Sequence, residues 1–123
     1  MTSANAAKGK RWELAFRKFL ALTFGRLVRH PHQEGFIDVG DLHLSPFALQ
    51  LKDEARHNFA SYVRDAEKQA AAAEELFGAA VVKQRGKSAE DAYVVMSGRT
   101  FRDLVKYLHD LAEDANRYRS LNR

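Results

Sequence analysis

One short segment restricts the fold of this chain more than any other. Gly40-Asp41-Leu42 leads through Ser45-Pro46 into Phe47-Ala48-Leu49-Gln50-Leu51-Lys52, which reads as a β-hairpin with an acidic residue where its first strand starts. Strand side chains alternate between faces, so Leu49 and Leu51 point into a core while Gln50 and Lys52 share the opposite side. An ammonium beside a leucine-rich strand is costly unless an anion sits opposite. The simplest reason to group Asp41, Gln50 and Lys52 is a site for a metal ion and a phosphate.

The rest of the chain sets the frame around that hairpin. Its 123 residues suffice for a single domain over residues 1–123 with one hydrophobic core. With 46% apolar and 29% charged residues the composition is that of a globular protein. A net charge of +4 is compatible with nucleic acid as partner without demonstrating it. The absence of cysteine excludes a disulfide scaffold and a Cys-ligated zinc site and suits a reducing cytoplasm. No apolar run approaches the roughly 20 residues that cross a bilayer, and Met1-Thr2-Ser3-Ala4-Asn5 lacks an export pattern. A cytoplasmic protein without a membrane partner is therefore expected.

Periodicity predicts the element order α-β-β-β-α-β-β-α. Residues 1–7 are expected to fray. Trp12, Ala15, Phe16, Phe19 and Leu20 mark a helix over about 8–23 that Gly25 ends. Strands follow at 26–30, 39–44 and 47–53. Asn58 or Ser61 caps a helix running to about Phe77 and closed by Gly78. Two further strands, 79–84 and 92–96, flank the basic loop Arg85-Gly86-Lys87-Ser88. A last helix from about Thr100 places Phe101, Leu104, Val105, Leu108, Leu111, Ala112 and Ala115 on one face and runs into a basic tail over 117–123. The expected fold is α/β, a mixed central sheet flanked by helices.

Glu13 adds a second carboxylate to the candidate site. It follows Trp12 at the border of the apolar stripe, where it can reach the end of the sheet. Two carboxylates, an amide oxygen and waters suit a hard divalent cation such as magnesium. That ion polarises a phosphoryl oxygen and acidifies its bound water, and Lys52 is placed to stabilise transition-state charge or position the attacking water. Taken singly, a glutamate in the first turns of a helix more often serves the helix dipole. The strand-borne Gln-x-Lys beside an acidic strand start favours the site.

Asp41 followed by Gln50-x-Lys52, with Glu13 on the preceding helix, resembles the PD-(D/E)XK nuclease superfamily. The closer similarity is to the small Holliday junction resolvases of bacteriophages and archaea. It rests on Lys8-Gly9-Lys10-Arg11-Trp12-Glu13, Asp38-Val39-Gly40-Asp41-Leu42 and Val81-Val82-Lys83-Gln84-Arg85-Gly86-Lys87, and covers about residues 8–105. The resemblance implies a restriction-endonuclease-like core and a magnesium-dependent endonuclease, with manganese as substitute and no organic cofactor. It implies action on branched DNA in recombination and repair, usually as a homodimer. By family position Glu13, Asp41 and Gln50 would hold metal, assisted by the main-chain oxygen of Leu51, and Lys52 would be catalytic. The family most often has glutamate where this chain has Gln50. A neutral amide oxygen still coordinates, but the site carries one negative charge fewer, so metal binding is expected to be weaker.

Asp38 is the rival of Asp41; its place fits a supporting residue or a simple turn aspartate. His30-x-His32 is a weak metal signal without cysteine or a further paired histidine. Gln69, expected on the polar side of its helix, either reaches the site or a DNA phosphate or is simply solvated. DNA phosphates would meet Lys8, Lys10, Arg11, Arg29, Lys83, Arg85 and Lys87, contacts that set affinity and salt dependence and not sequence preference. Two other readings stay open: a sequence-reading or nicking nuclease of the same fold, and a non-catalytic nucleic-acid-binding protein. Phe24, Leu27, Tyr107, Tyr118 and Leu121 are candidate material for a homodimer interface.

Overall fold

A computed structural model describes residues 4–31 and 40–122. In chain order the elements are α1 (Ala4–Phe24), β1 (Leu42–Leu44), β2 (Phe47–Lys52), α2 (Phe59–Ala72), β3 (Phe77–Val82), β4 (Tyr93–Val95) and α3 (Gly98–Leu121), with single 3-10 turns at Gly25–Leu27 and Ala89–Asp91. The strands form one mixed sheet in the order β1-β2-β3-β4. The central pair β2 and β3 is parallel and both outer pairs are antiparallel. The fold is therefore α/β.

Every residue of β3 is buried, as expected of a central strand covered on both sides. One face packs on α1, where Trp12 and Phe16 meet Leu42, Leu49, Ala79 and Val81. The Trp12 indole N–H donates to the Val81 carbonyl at 3.4 Å. On the other face Tyr62 of α2 meets Ala80 and Val82, and Val95 packs against them. The alternation read from the hairpin holds: Leu49 and Leu51 face α1, and Lys52 faces α2, its ammonium 5.3 Å from the Tyr62 ring centre.

Several expected boundaries move, each for a physical reason. Residues 4–7 do not fray; Ala4, Ala6 and Ala7 are strong helix formers and extend α1 toward the N-terminus. No strand forms over 26–30. Gly25 takes a φ of +55° into the 3-10 turn, and the segment reaches the sheet only at Arg29, which exchanges both backbone hydrogen bonds with His43. Pro31 follows with no N–H to continue the ladder. α2 is capped by Asn58, whose side chain accepts from Ser61 N–H. It stops at Ala72, well before Gly78. Glu74 supplies the left-handed residue at φ +58°, Glu75 N–H bonds to Ala70 O, and Glu74 N–H bonds to Ala71 O, the hydrogen-bond pair of a Schellman ending. Phe77 and Gly78 thereby belong to β3. At the other end of the chain the basic stretch that starts at Arg117 continues α3 to Leu121. No helix among the described residues is long and apolar enough to cross a membrane.

Candidate functional site

The site begins where β1 and β2 part. Leu42↔Leu49 is the last pair of their ladder. One residue further, Asp41 N–H still bonds to Leu49 O at 2.9 Å, but the Leu51 N–H is met by the Asp41 carboxylate, Oδ2 accepting at 2.8 Å. The side chain thus replaces the backbone acceptor that the diverging strand withdraws, and a buried N–H left without one would be costly. Gly40 makes this turn possible. Its φ of +96° suits only glycine, and an added Cβ would lie 3.4 Å from Leu49 O and 3.6 Å from Gln69 Oε1.

Glu13 approaches from the α1 side, on the flank of the helix away from the groove described below. Its Oε1 lies 2.6 Å from His30 Nδ1. Burial first, and then the charge of Asp41, raise the Glu13 pKa above the usual glutamate value, with His30 opposing the rise. Two carboxylates are therefore held within electrostatic reach, at a cost to the folded state. A raised folded pKa means that Glu13 stabilises the fold at pH below its unfolded pKa and that this contribution is lost as pH rises through the folded value. Glu13→Gln, neutral throughout, is expected to melt at a higher temperature than the wild type at about pH 7. The difference should vanish below about pH 4, where both side chains are uncharged. Thermal melts across that range check the sign.

Gln50 and Lys52 lie on the α2 side of the same strand. Gln50 Oε1 is buried and accepts no hydrogen bond among the described residues. A buried amide oxygen without a donor is an expense that a bound cation would remove. Lys52 is partly buried; its ammonium lies 3.9 Å from Glu54 Oε1 as well as over the Tyr62 ring. Tyr62 is itself anchored, donating from its hydroxyl to Glu54 Oε2 at 2.8 Å. Glu54, Tyr62 and His30 are the neighbours that sequence reasoning did not assign to these roles. Only the closeness of Glu54 to Lys52 in the chain hinted at one of them.

Among the described residues no three His, Asp or Glu side chains gather closely enough to hold an ion by themselves. A cation here would need the Gln50 amide oxygen and main-chain oxygen such as that of Leu51 besides Glu13 and Asp41. These are hard oxygen donors that fit magnesium or manganese.

The basic residues divide. Lys8, Arg11, Lys83, Arg85 and Lys87 line an open groove of about 670 Å³, in which Lys83 Nζ lies 6.0 Å from the centre of the Trp12 ring. Lys8 also pairs with Asp53 at 3.7 Å and borders a second recess shared with Lys52. Lys10 sits instead with Glu13 and His30 in a smaller recess. Arg29 lies apart from the groove. Its guanidinium is 4.0 Å from Glu75, the carboxylate that accepts from Ser45 at the hairpin turn. Gln69 is buried on the inner side of α2 with Tyr62, Ala66 and Ala70, which corrects its expected place on the polar side of that helix, removes the solvated alternative, and puts its amide beside Gly40. Asp38 and His32 fall outside the described residues. Comparison with protein-family profiles, with curated proteins and with solved structures finds no match to this chain.

Proposed function

We propose that the protein is a metal-dependent, structure-selective DNA endonuclease with a restriction-endonuclease-like core, which hydrolyses phosphodiesters in four-way junctions. The observations that carry this reading are the Asp41 carboxylate fixed on the Leu51 N–H at the parting of β1 and β2 and, on the neighbouring residue Gln50, a buried Oε1 that accepts no hydrogen bond among the described residues. Lys52 lies on the same strand, and a groove lined by five cations opens alongside. Glu13, Asp41, Gln50 and the Leu51 carbonyl would hold magnesium, or manganese in its place. When bound, the ion supplies Lewis-acid polarisation of a phosphoryl oxygen and a more acidic water. Lys52 then faces the phosphate with a charge that Glu54 and Tyr62 hold in place. Lys8, Arg11, Lys83, Arg85 and Lys87 bind flanking phosphates and carry no base preference, which favours recognition of branched shape. Paired nicks across a two-fold junction ask for two copies of the chain.

The test is incubation with a labelled four-way junction, a linear duplex and a single strand, with and without magnesium. Cleavage confined to the junction and dependent on the ion is expected. In the same assay Gln50→Glu, which adds a negative ligand, should lower the magnesium concentration at half-maximal rate, and Gln50→Ala should raise it. Identical titrations for all three proteins would remove Gln50 from the metal site. A second reading, a non-catalytic nucleic-acid-binding protein, is favoured by the pairing of Lys52 with Glu54, which already gives that ammonium a structural partner. Junction binding without cleavage under any divalent cation would select it.

A further inference from the structure

α3 spans 24 residues, and none of them is buried. At 1.5 Å per residue it is about 36 Å long. Yet it touches the rest of the chain mainly through its first half: Tyr107 packs edge-on against Phe77, and Thr100 lies 3.5 Å from Glu67. Leu104 and Tyr107 are half-buried, but the other large apolar residues remain in water, with Phe101 59%, Leu108 55% and Tyr118 69% exposed. A lone amphipathic helix of this kind is expected to cover its stripe. The spacing says with what. Phe101, Leu104, Leu108, Leu111, Ala115 and Tyr118 alternate steps of three and four over three consecutive heptads, the a and d positions of a two-helix coiled coil. Such a seam is self-complementary, and the partner it fits best is another copy of itself.

The charges select the orientation. In this register Asp114 is a g position and Arg119 the following e position. A parallel, in-register pair places Asp114 of one chain against Arg119 of the other, twice by symmetry. An antiparallel pair sets Asp114 among Tyr107 and Val105 and leaves Arg119 near Gly98. Neither Asp114 nor Arg119 has an ion-pair partner within the described residues. The geometry points to a homodimer joined by a parallel, in-register coiled coil of α3, with a–a′ and d–d′ layers from Phe101 to Tyr118 and flanking Asp114–Arg119′ pairs. The two globular parts then lie at the same end of the seam. This interface stands on α3 alone and holds whether or not the protein cuts DNA.

The experiment needs no substrate. Light scattering of the full chain at micromolar concentration should give twice the protomer mass of 14.0 kDa. Leu108→Glu puts a carboxylate from each chain into a central layer and should raise the dimer dissociation constant by about 100-fold or more. Leu108 is exposed in the single chain, so the variant should still unfold in one cooperative urea transition, at a midpoint below the wild type's only by the stabilisation that dimerisation adds. The natural chain has no cysteine, which permits a clean test of orientation. Tyr118→Cys should oxidise to a covalent dimer, because the parallel seam sets the two positions face to face. In an antiparallel pair they would be about 25 Å apart. A monomeric wild type, a Leu108→Glu dimer of undiminished affinity, or failure of Tyr118→Cys to cross-link would each overturn the proposal.

Discussion

On the proposed endonuclease reading, Lys52→Ala is expected to lower the rate of junction cleavage by about 10²- to 10³-fold or more, the usual consequence of removing a single charge-stabilising group from a transition state. Junction affinity should change little. Binding is distributed over many phosphate contacts, and the five cations of the groove, of which Lys52 is not one, all remain. The fold should also persist, since Lys52 is partly exposed at the end of β2 and its loss leaves Tyr62 still bonded to Glu54. Lys52→Arg is not expected to restore the rate, because the planar guanidinium is larger and distributes its charge differently. Asp41→Asn provides the matching control. An asparagine oxygen can still accept from Leu51 N–H, so the strand junction survives while the ligand charge is lost. Single-turnover cleavage and gel-shift titrations on the same preparations separate the two effects. Wild-type cleavage by either variant would show that the reacting phosphate lies elsewhere.

Gly78→Ala should be the most damaging glycine-to-alanine change among the described residues. A Cβ at that position would lie 2.2 Å from Ala66 O and 2.6 Å from Ala66 C. Both are backbone atoms of α2, so no side-chain rotation can relieve the clash. The helix would have to lift from β3, separating Tyr62 from Ala80 and Val82 and opening the core on that face. A loss of about 3 kcal/mol is expected, a large part of the roughly 5–15 kcal/mol that holds a domain of ordinary stability. The urea midpoint should fall accordingly. Gly9→Ala is the contrast: nothing lies within 4 Å of a Cβ there, and in the interior of α1 alanine should add about 1 kcal/mol. Equal midpoints for the two variants would mean that α2 does not sit as close to β3 as described.

What could be read from the residues was whatever depends on local periodicity. The two-residue alternation of β2 assigned Leu49 and Leu51 to one side and Lys52 to the other, and the structure keeps that division. The apolar face of α3 and the cap at Asn58 are equally local. The misjudged positions were those where one residue type serves two geometries. Gly78 reads as a helix stop, but it is a strand residue whose missing side chain admits α2. Glu74 adopts the left-handed turn that sequence reasoning assigns to glycine, because the hydrogen bonds of the Schellman ending and the return of the chain into β3 hold it there.

Most of the candidate site's setting lay beyond the reach of spacing. Asp41, Gln50 and Lys52 could be grouped from the sequence because they share one hairpin. That His30 meets Glu13, that Glu54 and Tyr62 hold Lys52, and that Gln69 turns inward beside Gly40 could not. Those neighbours come from separate elements, and their separation in space depends on how α1 and α2 settle on opposite faces of the sheet. The sequence by itself determined which residues each element offers to a face. Tertiary structure decided which faces meet, since that choice follows from burial and close packing summed over the whole chain and leaves no trace in any one segment.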